Sequence, residues 1–141
     1  MHVDAALQKA NEWVHEMATE LGTADAHRGH TALRVGLHAL RDRLGVAEVV
    51  QLGAQLPLVI RGLYYEGWNP SGKPVRVRRV EEFLELIDER APLGLGFDSQ
   101  TVANALFRLL THRLSPGEAE GLRHVLPRSV SQLWANAAGV A

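Results

Sequence analysis

Cysteine is absent from the 141 residues, which excludes disulfides, thiolate nucleophiles, zinc–thiolate sites and iron–sulfur clusters. An excess of either charge is missing too. Fifteen Lys and Arg face sixteen Asp and Glu, so the chain is neither a globally basic nucleic-acid coat nor an acidic disordered tail. No apolar run approaches the roughly 20 residues of a membrane span, and Met1-His2-Val3-Asp4 lacks the form of a signal peptide. A soluble cytoplasmic protein without a membrane partner is the expectation. What is present is 46% apolar residues, enough for one globular core. Area scaling for a chain of this mass gives about 7,200 Å² of folded surface.

The apolar residues recur with helical spacing throughout. Leu7, Ala10, Val14, Met17 and Leu21 form a stripe after Asp4, a candidate N-cap, and Gly22 is placed to end that helix. Asp25 is a candidate cap for a second helix with Leu33, Leu37, Leu40 and Leu44 inward. Arg41 and Arg43 stand in its last turn, where cations suit the helix dipole. A shorter helix from Val46 to Leu56 stops before Pro57, which can serve as the first residue of another running to about Glu66. Val80 to Ala91 is helical, with Phe83, Leu84 and Ile87 inward; Asp98 caps a further helix; and Ser115-Pro116-Gly117-Glu118 is a capping-box start. Strand-like alternation is confined to Val75-Arg76-Val77-Arg78. The fold class is all-α.

A shift of 70 residues aligns the two halves without a gap. Thr31, Leu40, Arg43, Leu44, Glu48, Leu52, Leu56, Pro57 and Leu63 fall on Thr101, Leu110, Arg113, Leu114, Glu118, Leu122, Leu126, Pro127 and Leu133. The expected architecture is a single helical domain, 1–141, a compact bundle of about eight helices. Two four-helix repeats, about 4–66 and about 80–138, are joined by a linker at about 67–79 and related by a pseudo-dyad. The repeated Arg43, Glu48, Arg113 and Glu118 fit helix-end capping or structural ion pairing.

The string Tyr64-Tyr65-Glu66-Gly67-Trp68-Asn69-Pro70-Ser71-Gly72-Lys73-Pro74, after Gln55-Leu56-Pro57 and before Glu81-Glu82-Phe83-Leu84, resembles the bacterial domain of unknown function 2267 family. The resemblance covers nearly the whole chain. It implies a compact all-helical prokaryotic domain, found alone or within larger proteins, without an established activity. It brings no catalytic or binding residues to carry over.

Gly67-x-x-x-x-Gly72-Lys73 has the frame of a phosphate-binding loop, but Pro74 stands where Ser or Thr would hold magnesium, and a helix rather than a strand precedes it. A turn-rich linker is the better reading. Lys73, Arg76, Arg78 and Arg79 place four cations and no acid in this linker, beside Tyr64, Tyr65 and Trp68. Trp68, Lys73, Arg76, Arg78 and Arg79 are therefore the candidate partner-binding residues, able to grip an acidic partner or a phosphate backbone. The linker is expected to have no counterpart within the duplication, since the equivalent positions after the second copy reach the C-terminus. His27 and His30, beside Asp25, are spaced for one metal ion but lack an evident third ligand, so no metal and no cofactor is expected. No acid–base pair or nucleophile elbow stands out. The leading functional expectation is a non-enzymatic interaction or scaffolding module that binds a protein partner or self-associates. Nucleic-acid or phosphate binding through the linker comes second, and an enzyme with an unrecognised site third.

Overall fold

The computed structural model describes residues 2–140. Among them are eight helices: α1 (Val3–Leu21), α2 (Ala26–Arg43), α3 (Val46–Gln55), α4 (Leu58–Tyr65), α5 (Val80–Arg90), α6 (Ser99–Arg113), α7 (Pro116–His124) and α8 (Arg128–Ala138). No strand occurs among the described residues, and the class is all-α. The accessible surface is 7400 Å², close to the size-scaling expectation. No helix among the described residues is long and apolar enough to cross a membrane.

Local chemistry sets most boundaries. The Asp25 carboxylate accepts from the His27 and Arg28 backbone N–H groups at 3.0 and 3.3 Å, and Asp98 accepts from Thr101 N–H at 2.7 Å. Ser115 Oγ accepts from Glu118 N–H at 3.2 Å, with Pro116 as the first helical residue. Each satisfies a helix-start donor that has no intrahelical partner. Gly22, at φ 83°, closes α1 in the left-handed region that suits glycine.

Three local expectations are corrected. Asp4 lies inside the first turn of α1, which begins at Val3 without a side-chain cap. Its charge meets the helix dipole there instead. Leu7 is 51% exposed, so the buried stripe of α1 begins at Ala10. Pro57 precedes α4 as its cap, with ψ 156°, because its extended ψ cannot continue into the helix.

One hydrophobic cluster draws residues from all eight helices. At its centre are α2 and α6, which are buried over much of their circumference. Phe83, Phe107 and Trp134 form a stack across α5, α6 and α8, with ring centroids 5.9 and 4.6 Å apart and planes within 17° and 9°. The buried Trp134 Nε1 donates to Thr111 Oγ1 at 2.7 Å, and Tyr64 Oη donates to Val49 O at 2.8 Å. These two polar tips are thus satisfied, whereas the buried Trp13 Nε1 has no hydrogen-bond partner among the described residues.

The helix ends follow the 70-residue shift: Arg43 and Arg113 end α2 and α6, Val46 and Pro116 begin α3 and α7, and Leu58 and Arg128 begin α4 and α8. The packed pairs are α1·α2, α5·α6, α1·α6, α2·α5, α1·α4, α5·α8, α2·α4, α6·α8, α3·α4, α7·α8, α2·α6 and α6·α7. Exchanging the first four helices for the last four returns the same set, apart from α6·α7.

Candidate functional site

The linker is extended where the shift of 70 would place the first two turns of α1. Positions 73–79 fall on 3–9, so the segment does have a counterpart, and that counterpart is helical. Pro74 disfavours helix in the residue before it, Lys73. The segment alternates: Val77 is 4% exposed and Val75 packs on the core, while Arg76 and Arg78 are exposed. Period-two geometry therefore puts Arg76 and Arg78 on the same outward side. Neither side chain has a hydrogen-bond or ion-pair partner among the described residues, and Arg79 lies 3.6 Å from Glu82. Lys73 is half-buried after a turn in which its N–H donates to Pro70 O at 3.2 Å. Trp68 is half-buried against the core, 5.7 Å from the Tyr65 ring, and Tyr64 is fully buried. The aromatics thus face inward while the arginines face outward, and the two do not share one stacking platform.

A buried polar cluster holds this linker. Arg41 Nη1 donates to Tyr64 O at 2.8 Å and Glu66 O at 2.9 Å, satisfying carbonyls at the end of α4. Its Nε donates to Asp42 Oδ1 at 2.8 Å, and Arg90 Nη2 donates to Asp42 Oδ2 at 2.7 Å. Asp42 O accepts from Val75 N–H at 2.7 Å. Arg34 pairs with Glu66 nearby. Arg41 is therefore not the exposed dipole partner its position suggests: it caps a different helix. The spacing carries the signal, because Arg41 stands four residues after Leu37 and three before Leu44, on the buried face.

The repeated charges do not pair with one another. Arg113 Nε donates to Glu16 at 2.7 Å, across to α1, and Glu16 also meets His112 Nδ1 at 2.6 Å. With its nitrogen facing Glu118, the Gln55 amide donates to both carboxylate oxygens at 2.8 and 3.0 Å. Lys9, Trp13, Gln55, Pro57, His112 and Arg113 line a polar cleft of about 350 Å³.

A second cavity, about 250 Å³, opens between α3 and α7. Leu52, Leu114 and Leu122 form its floor, and Glu48 and Glu118 stand in its lining together with Gln51, Gln55 and Val125. Beside it, the outer face of α3 runs into the start of α4 without a charge: Val46, Ala47, Val50, Gln51, Ala54, Gln55, Leu58 and Val59 are exposed. Val46, Val50 and Leu58 are 50, 52 and 49% exposed. At the positions 70 residues later stand Pro116, Glu120, Arg128 and, opposite Val59, Ser129. The charged residues of this face thus stand in the second half, although Gln55 corresponds to Val125, which is 41% exposed. Sequence reasoning missed this face because its stripes were sought for burial; comparing the two copies at outward positions finds it.

The sequence matches the family described as "Uncharacterized conserved protein (DUF2267)" over residues 10–137. The chain belongs to this family. The DUF2267 region takes in the linker, the buried cluster and the α3–α7 groove. No curated protein matches the sequence.

Within this DUF2267 chain, the titratable groups with shifted pKa values are explained by structural contacts. Burial holds the His38 imidazole below its usual 6.5, with Arg41 and Arg34 adding to the effect against the opposing bond from Nε2 to Leu63 O at 2.7 Å. Burial raises the Tyr64 phenol. The Arg34 hydrogen bond lowers Glu66, and the Thr101 hydrogen bonds lower Asp98. None of these four lines either cleft. His27 and His30 are exposed, and no group of three or more metal-ligating side chains is assembled among the described residues.

Proposed function

We propose that this protein is a non-enzymatic interaction module whose partner is another protein, bound through the exposed face of α3 and the start of α4. The observation that carries the reading is the asymmetry between copies. Val50 and Leu58 stand in solvent where the likewise exposed Glu120 and Arg128 occupy the corresponding positions. The fold tolerates polar residues at the later positions, so the earlier apolar ones are not needed to form these helices. A run of exposed apolar side chains costs solubility and marks a contact surface. We also propose that the two halves are related by a pseudo-dyad, which the interchange of packed helix pairs supports.

A second reading is favoured by one feature, the outward Arg76 and Arg78 on an extended segment anchored by Val75 and Val77. It assigns the linker, with Trp68, Lys73 and Arg79, to an acidic or phosphate-bearing ligand. Affinity capture from host lysate at low and high salt, with and without nuclease, separates the two. The first reading requires a stoichiometric protein that persists at high salt and after nuclease. Recovery of nucleic acid alone, lost as salt rises, would replace it with the second.

A further inference from the structure

The groove between α3 and α7 differs from the open α3 face in having a floor, two walls and charge of one sign. Leu52, Leu114 and Leu122 close it below and are 4, 6 and 8% exposed. On the α7 wall, a Cβ built at Gly117 or Gly121 meets nothing within 4 Å, so that wall stands clear of other chain and the space belongs to the groove. The ionisable side chains in the lining are Glu48 and Glu118, and no cation joins them. With its amide nitrogen toward Glu118, Gln55 donates to both carboxylate oxygens.

An occupant must therefore offer an apolar group to the floor and positive charge to the walls. The surroundings give its shape. At 100° per residue, Ala47, Val50 and Ala54 lie next to Gln51 and Gln55 around α3. The uncharged strip thus continues from the lip of the groove along the helix, roughly 15 Å for ten residues. A small amine would fill the cavity and leave that strip bare; an amphipathic helix covers both.

We propose that the α3–α7 groove seats a basic amphipathic helix of a protein partner. An apolar side chain of that helix lies over Leu52 and Leu122, and Lys or Arg side chains beside it meet Glu48 and Glu118. The proposal rests on the interaction reading above and adds the partner's chemistry.

The test uses the full chain and two fluorescent 18-residue synthetic helices, one with an apolar Leu stripe and Lys elsewhere, the other with Glu in place of every Lys. Binding is followed by anisotropy, and sedimentation of the protein alone is run in parallel. The Leu/Lys helix is expected to bind at least tenfold more tightly than the Leu/Glu helix. Gly121→Leu, which fills the groove from a position with open space, should weaken it at least tenfold while the thermal midpoint does not fall. Glu48→Gln and Glu118→Gln should each weaken it severalfold and flatten its salt dependence. Equal binding of the two helices, or binding indifferent to Gly121→Leu, would overturn the proposal. So would a dimer of the protein alone that Gly121→Leu dissolves, because the occupant is then a second copy. If neither helix binds while lysate capture still yields a stoichiometric protein, the interaction reading stands and the basic-helix assignment falls.

Discussion

Arg41 and Asp42 are neighbours in sequence and are buried together, Nε to Oδ1 at 2.8 Å, with side chains only 5 and 6% exposed. Successive helix residues diverge by about 100°, so this contact requires the guanidinium to fold back along the helix toward the end of α4. The pair joins α2 to α4 through Arg41, to the linker through the Asp42 carbonyl, and to α5 through Arg90.

Removing the acid from this cluster leaves the Arg41 charge buried and uncompensated. Asp42→Ala is expected to lower unfolding stability by about 3–5 kcal/mol, read as a fall in the urea midpoint with little change in slope. A loss below about 1 kcal/mol would mean that water reaches Arg41 and that the cluster does not anchor the linker.

His38 gives a pH signature. Its folded pKa lies below the ordinary 6.5, so between those two values the unfolded chain binds more protons than the folded one. Stability therefore rises with pH across that window and is lost as pH falls below 6.5. Thermal midpoints of the protein and of His38→Gln between pH 5 and 8 test this: the acid-side decline should be shallower in the variant. Parallel curves would assign the decline to other groups.

Phe107 lies between Phe83 and Trp134 in the ring stack. Phe107→Ala should destabilise the protein by about 3–5 kcal/mol through lost burial and the cavity left behind. Near-ultraviolet circular dichroism should lose intensity from Trp134 at the same time. Unchanged dichroism with full stability would contradict the packing described.

Two glycines should respond in opposite directions to alanine. At Gly29 a Cβ comes within 2.8 Å of Val14 O and 2.9 Å of the Ala18 Cβ. Gly29→Ala must therefore push α1 and α2 apart, at a cost of about 1–3 kcal/mol. At Gly121 it meets nothing within 4 Å, and Gly121→Ala should raise stability by about 0.5–1 kcal/mol. Thermal unfolding of both variants decides the signs.

Much of the fold was legible in the sequence because it depends on local rules. Asp25, Asp98 and Ser115 cap helices where their spacing to the following N–H groups requires, and Leu33, Leu37, Leu40 and Leu44 are all buried. What was not legible depends on which surfaces meet. Arg41 and Arg43 look alike as last-turn cations, yet only Arg41 faces the end of α4, a relation fixed by tertiary packing. The candidate site was legible in part: Arg76 and Arg78 are exposed, but Trp68 packs beside Tyr65 rather than joining them. The α3 face lay hidden because exposure is a property of the assembled bundle, and an apolar period alone does not tell a buried stripe from a bare one.

The interaction surface is tested most directly by giving the first copy the residues of the second. The triple variant Val50→Glu, Leu58→Arg, Val59→Ser carries what α7 and α8 already hold at those positions, and it should fold with an unchanged thermal midpoint. In quantitative capture beside the unaltered protein and an Arg76→Ala, Arg78→Ala variant, the triple variant is predicted to lose the stoichiometric protein partner at least tenfold, while the linker variant retains it. Retention by the triple variant together with loss by the linker variant would contradict the assignment and move the binding surface to the basic segment.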